Sequence, residues 1–153
     1  MKVTEHFTLE ELTTTSQKAD NTPTEVHKAH LKEMCENMLE PLRIFYGKPI
    51  HINSGYRSAA VNKLIGGSST SAHSRGYAVD TKPVDGDMKA YQHAVLEWAK
   101  KANFDQIIIE YPKGSLASWI HIGYKNSADK CRKQILYTLD GKKYLPITSK
   151  YRV

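Results

Sequence analysis

Residues 71–80 read Ser-Ala-His-Ser-Arg-Gly-Tyr-Ala-Val-Asp, and residues 119–122 read Trp-Ile-His-Ile. The first stretch predicts a loop up to Gly76 followed by a strand around Tyr77 to Lys82; the second opens a strand over 119–124. Side chains alternate along a strand, so Ala78, Asp80 and Lys82 share one face, and His121 shares its face with Trp119 and Gly123. Together the two stretches offer His73, Asp80 and His121, two imidazoles and a carboxylate. Zn²⁺ takes imidazole nitrogen and carboxylate oxygen readily, and three protein ligands leave a fourth position open for water. Such a water has its pKa lowered towards ~7, so it can attack an acyl carbon at neutral pH. The spacing is unlike the helical H-E-x-x-H pattern, in which two His lie one turn apart. Two His and one Asp also meet by chance, and His121 between Ile120 and Ile122 is equally a satisfied core histidine. The three residues alone leave both readings open.

Outward from this stretch the chain alternates helices and strands. Thr8-Leu9-Glu10-Glu11 is a capping-box pattern opening a short helix, and Thr22-Pro23-Thr24-Glu25 repeats the device with Pro expected at the first helical position. The helix that follows carries Leu31, Cys35, Leu39 and Leu42 on one stripe, with Val26, Met34 and Met38 beside it. Pro41 should kink or restart it, and Gly47 followed by Pro49 should end it. A strand over 49–53 enters a Ser-Gly-Tyr-Arg turn, and Ser58 can cap a short helix closed by Gly66-Gly67. Met88, Tyr91, Val95, Trp98 and Ala102 recur at helical spacing, with Asp85 or Asp87 as the cap; this stripe is read as core. Residues 106–111 and 119–124 read as two strands joined by a Pro-Lys-Gly loop. Residues 134–139 and 142–147 read as a hairpin, with Asp140-Gly141 suited to a type I′ turn. The fold class expected is α+β, with a small, largely antiparallel sheet as the floor of the site.

Upstream of His73 lie Ser54-Gly55-Tyr56-Arg57-Ser58 and Ile65-Gly66-Gly67-Ser68. The ordered set SGYRS, IGGS, SAHxxGYAVD and WIHI resembles the zinc D-Ala-D-Ala metallopeptidases. These are peptidoglycan-cleaving carboxypeptidases and endopeptidases that include phage endolysins and are structurally related to the hedgehog signalling domain. His6-Phe7-Thr8-Leu9-Glu10-Glu11-Leu12 and Leu39-Glu40-Pro41-Leu42-Arg43 resemble the same branch, so the likeness runs from about residue 5 to residue 124. The resemblance implies one zinc per chain, on His73, Asp80 and His121, and peptidoglycan stem peptides or cross-links as substrate. It also implies an Arg in the SGYR turn that binds substrate. Arg57 stands there, and its guanidinium is a two-pronged donor suited to a substrate carboxylate or to an oxyanion; the alternative is a structural salt bridge. Ser71 would donate a hydrogen bond to substrate or orient the loop.

A zinc peptidase also needs a general base, and in several related branches an acid stands three residues before the last His ligand. That position here is Ser118, a departure. Glu110, at the end of the strand that leads into the His121 strand, is the candidate in its place. Its apolar neighbours Ile108 and Ile109 give it a setting that raises a carboxyl pKa. Asp105, at the entrance of that strand, is the weaker substitute. The reading is a peptidoglycan peptidase, carboxypeptidase or endopeptidase; the rival is a non-catalytic zinc-containing binding module of the same fold, kept open by Ser118. His6, His27, His30, His51 and His93 have no such support as ligands; His27 and His30, three apart on a helix, could bind metal loosely but are read as surface residues.

The bulk properties allow this reading. The 153 residues suit one domain over 1–153, and a chain of this size buries ~70% of its unfolded surface. Cys35, on an apolar helical stripe, is read as a buried free thiol, with a Cys35–Cys131 disulfide as the alternative. The net charge of +6 raises a nucleic-acid reading, but no recognition motif accompanies it. The densest basic group (Lys125, Lys130, Arg132, Lys133, Lys142, Lys143) flanks the expected hairpin. A solvated, mildly basic surface is the default reading, with attraction to an anionic polymer such as cell wall as the functional alternative. No stretch approaches the ~18 apolar residues of a membrane span, and the Met1 end has no signal-peptide h-region. A monomer is expected, made in the cytoplasm and reaching the wall by phage lysis or tail delivery.

Overall fold

A computed structural model of the chain describes residues 1–125 and 131–147, so Lys130 of the basic group lies outside the described residues. The N-terminus forms a two-stranded antiparallel ribbon, β1 (Lys2–Thr4) and β2 (Phe7–Thr8). Thr8 then caps α1 (Leu9–Leu12): its hydroxyl accepts from the Glu11 amide while the Glu11 carboxylate accepts from the Thr8 amide. The next helix, α2 (Glu25–Met34), is capped by Thr24, whose hydroxyl accepts from the His27 amide. Pro23 therefore precedes the cap and does not occupy the first helical position. Thr22, which the sequence pattern offers as the cap, bonds instead to Asp20.

From α2 the helical path continues through a five-residue π-turn, Cys35–Leu39, into α3 (Glu40–Tyr46). Pro41 has no amide hydrogen and its ring crowds the preceding turn. The widened turn just upstream absorbs that defect, so the helix is re-registered there and not broken. Leu31, Met34, Cys35, Met38, Leu39 and Leu42 are all buried, while Val26 stands exposed, a correction to the expected stripe. Cys35 and Cys131 are free thiols.

Six strands form the main sheet in the order β3 (Ile50–Ser54), β4 (Ala78–Pro83), β6 (Trp119–Gly123), β5 (Gln106–Glu110), β7 (Gln134–Thr138), β8 (Leu145–Pro146). All neighbours are antiparallel except β5 and β7. The class is α+β, as expected, with one parallel pair inside the sheet. Its two faces do different work. Val79, Ile107, Ile109, Ile120 and Ile122 point into the core, which also holds Tyr91, Val95 and Trp98 of α6 (Met88–Ala99), a helix capped by Asp87. The opposite face carries Asp80, Ile108, Glu110, Trp119, His121 and Leu136. Of two short helices, α4 (Ala59–Leu64) capped by Ser58 and α5 (Ala72–Arg75) capped by Ser71, α5 stands on that side and sets His73 beside Asp80. The segment expected as loop up to Gly76 thus contains one helical turn, and that turn carries His73.

β7 and β8 form the expected hairpin, but its connection is the longer segment 139–144. Gly141 has a positive φ of 72° and Asp140 does not share it, which excludes a type I′ turn. The Asp140 carboxylate instead accepts from the amides of Lys142 and Lys143. Within the basic group, Lys125 pairs with Glu33 and Arg132 with Asp105. Asp105 is buried, and accepts from the Arg132 backbone amide as well as from its guanidinium Nε and Nη2, at 2.7–3.0 Å. It ties β5 to the start of β7. We expect Asp105→Ala to lower unfolding free energy in urea by about 2–3 kcal/mol through loss of these charge-assisted bonds, with zinc stoichiometry unchanged. Loss of zinc with stability intact would contradict this structural role.

Candidate metal centre

Strand register brings two of the candidate ligands together. Asp80 on β4 is directly opposite His121 on β6, and His73 descends on them from α5. His73 Nε2 lies 3.2 Å from His121 Nδ1 and 3.3 Å from Asp80 Oδ1; His121 Nδ1 lies 3.2 Å from the same oxygen. All three side chains are buried, or nearly so. The Gly55 carbonyl accepts from His73 Nδ1 at 2.8 Å, which places the proton there and leaves the Nε2 lone pair facing the cluster. Three acceptor atoms therefore converge, an arrangement that calls for a cation or a shared proton between them. A tetrahedral ion with bonds of about 2.0–2.1 Å has ligand–ligand edges of about 3.4 Å, close to the separations observed. The donor set and its spacing fit zinc. Burial pushes the Asp80 carboxyl up, but His73 and His121 outweigh it and hold the group far below the usual carboxylate range.

The surrounding chain holds this geometry. A bulge in β3 shifts the register so that Ser54 faces Asp80. The turn that follows is bonded to the ligand helix in both directions: His73 Nδ1 to the Gly55 carbonyl, and the Arg57 amide to the His73 carbonyl. The same turn rests on α1 through the Tyr56 amide and the Leu12 carbonyl. Gly55 lies so close to α1 that a Cβ there would overlap the Leu12 carbonyl oxygen. We expect Gly55→Ala to displace the carbonyl that orients His73 and weaken zinc binding roughly 10- to 100-fold, read by competition with a chelating dye. Unchanged affinity would show that the carbonyl does not orient the ligand.

Arg57 donates from Nη2 to Asp80 Oδ2 at 3.1 Å and from Nε to Ser54 Oγ at 3.0 Å, so one edge of its guanidinium is engaged with a candidate ligand. It also lines the cleft. The Ser71 hydroxyl accepts from the His73 amide as the cap of α5, and Ser71 also lines the cleft. His27 and His30 are corrected from surface residues to supports. His27 Nδ1 lies 3.0 Å from the Tyr56 hydroxyl, and His30 donates to the Arg75 carbonyl at 2.6 Å while stacking on Tyr77.

Glu110 stands on the same sheet face as His121, directly opposite Trp119 on β6. The Trp119 indole donates to Glu110 Oε2 at 2.5 Å. Burial, aided by the Asp80 charge, raises its carboxyl above the ordinary range. Ser118 does not line the cleft. Its hydroxyl donates to the Tyr111 carbonyl and its amide to the Glu110 carbonyl, so it fastens the end of β5. Asp105 is spent on Arg132 and does not line the cleft either.

The metal candidates form the floor of an open cleft of about 610 Å³. One side is polar, with Arg57, Ser68, Thr70 and Ser71. The other is apolar, with Ile108, Tyr111, Trp119, Leu136 and Tyr144. Sequence reasoning places Trp119 only as a strand residue. The sign that could have found its bond to Glu110 is the register, since both flank the same loop. Residues 5–123 match the family model described as Peptidase M15. Among curated proteins none is similar enough to match.

Proposed function

The chain belongs to the peptidase M15 family, the zinc D-Ala-D-Ala carboxypeptidase-like peptidases, and from that premise we propose that it hydrolyses peptide bonds in peptidoglycan stem peptides or cross-links. The observation that carries this reading is the convergence of His73, Asp80 and His121 within 4.8 Å of one another on the floor of a cleft that also holds Glu110. His73, Asp80 and His121 would hold one zinc, which when bound supplies Lewis acidity to the scissile carbonyl and to a water. Glu110 takes the proton of the attacking water and returns it to the leaving amine, a role suited to a carboxyl of raised pKa. Trp119 fixes one Glu110 oxygen, leaving the other for the proton. Arg57 holds Asp80 from behind and offers positive charge at the polar side of the cleft.

The binding-module reading rests on Ser118. With Ser118 turned away and Glu110 on the cleft floor, the arrangement favours an enzyme. Among the described residues no helix is long and apolar enough to cross a membrane. In this reading the protein acts on the wall after release from the cytoplasm. Defined muropeptides incubated with zinc-loaded protein and weighed by mass spectrometry test the proposal. The expected result is a peptide-bond cleavage abolished by a chelator and restored by zinc; no cleavage of any muropeptide would overturn it.

Arg57 has its own test. A point-charge ammonium does not reproduce a bidentate fork, so Arg57→Lys should lower kcat/KM by about tenfold or more. If Arg57 binds a terminal carboxylate, the loss falls on free-ended stem peptides and shrinks on C-terminally amidated ones. Equal loss on both places the guanidinium at the oxyanion or behind Asp80.

A further inference from the structure

The family match ends at residue 123, yet the cleft does not. Leu136, Gly141 and Tyr144 line it too, and all three belong to the β7–β8 hairpin. Sheet order places this hairpin at the opposite edge from β3 and Arg57, with the β4 and β6 ligands between them.

The hairpin is joined to the cleft by Tyr111, a residue in an uncommon conformation. Its φ is +47°, in the left-handed region that costs energy for a non-glycine residue. Hydrogen bonds hold it there from both sides: its amide donates to the Thr138 carbonyl at 2.9 Å, and its carbonyl accepts from the Ser118 hydroxyl at 2.6 Å. The backbone turn lays the ring against Trp119, centroids 5.1 Å apart, and brings the hydroxyl against Gly141. A Cβ on Gly141 would overlap that hydroxyl, and its φ of 72° favours glycine independently. Tyr144 donates from its hydroxyl to the Gly141 carbonyl. One tyrosine hydroxyl is thus bonded to the tip glycine and the other packs against it, while both residues border the cleft, 39% and 44% exposed.

We propose that the β7–β8 hairpin is a specificity element: with Tyr111 it builds a second binding wall that seats an uncharged, C–H-rich flank of the substrate, across the metal ligands from Arg57. The inference rests on the peptidase reading of the same cleft. Apart from Glu110 this wall presents no charged side chain among its lining residues, and flat aromatic faces offer contact area at little entropic cost. Either a pyranose face or alanine methyl groups supply the matching surface.

The test uses the zinc-loaded 153-residue chain and two ligands, a stem peptide with and without its amino sugar. Tyr144→Ala should raise KM and the calorimetric Kd roughly tenfold, with kcat and zinc content little changed. Tyr144→Phe, which keeps the ring, should recover most of the affinity. An effect confined to the sugar-bearing ligand assigns the wall to the pyranose; an equal effect on both assigns it to the peptide methyls. Unchanged KM and Kd for both ligands in Tyr144→Ala, with wild-type turnover intact, overturns the wall alone. Wild-type protein that neither cleaves nor binds either ligand overturns the peptidase reading beneath it. Amide shifts at Gly141 and Tyr144 on titrating wild-type protein check the site without any variant, and their absence at saturation would also overturn it.

Discussion

A His73→Ala protein is expected to lose most of its zinc, as are Asp80→Ala and His121→Ala proteins, because a three-ligand site has no redundancy. Elemental analysis after gel filtration reads the loss directly. A second readout needs no turnover: zinc held more tightly by the folded cluster than by the unfolded chain should raise the melting temperature of the wild type by mass action, and this rise should vanish in each variant. The three should differ in apo stability. Asp80 holds Arg57 through Oδ2 at 3.1 Å, so its removal leaves a half-buried guanidinium without its carboxylate, and Asp80→Ala should be the least stable. His73 donates to the Gly55 carbonyl and lies 3.3 Å from Asp80 Oδ1, so its loss leaves that carbonyl unpaired and Asp80 with one imidazole fewer. The other histidines should be dispensable for metal; His6, for example, is engaged with Glu40. Full zinc occupancy in His73→Ala would overturn the ligand assignment.

How much of this was legible in the sequence follows from the range of each interaction. Caps read well because they close within one turn: Thr8 with Glu11, Ser58 with the Val61 amide, Asp87 with the Ala90 amide. Thr22 and Thr24 offer the same chemistry two residues apart, and the bonds that Thr22 donates to Asp20 decide between them. The pairing of Asp80 with His121 is foreshadowed by strand alternation, which puts each on a definite face, while their opposition depends on sheet order. The parallel pairing of β5 with β7 is non-local and leaves no periodic trace. The role of Ser118 is legible only as an absence of acid. That its hydroxyl fastens Tyr111 depends on a left-handed residue that no propensity favours at a tyrosine. The π-turn before Pro41 is likewise invisible to a 3.6-residue pattern; Pro41 predicts a kink or a restart, and the helix changes register just upstream of it.

Replacing Glu110 with Gln should keep the fold and the zinc and lower kcat by about 100-fold or more, the contribution of a positioned general base. The substitution is close to a pure test of charge. The glutamine side chain is the same size, and its carbonyl oxygen can still accept the Trp119 indole hydrogen, so the contact seen at 2.5 Å survives while the proton acceptor is lost. Because Glu110 stands two residues along β5 from Ile108, the direct partner of His121, it shares the ligands' face without touching the cluster through any observed hydrogen bond. Zinc content should therefore match wild type, which separates this variant from the ligand variants. Asp105→Asn is the paired control. Asp105 is engaged by Arg132 at 2.7 Å and does not line the cleft, so its variant should lose stability and retain turnover per folded molecule. Near-normal turnover in Glu110→Gln alongside an inactive, folded, zinc-loaded Asp105→Asn would transfer the base to Asp105. If both variants kept full activity, the proton would have to leave by a route that uses neither carboxylate.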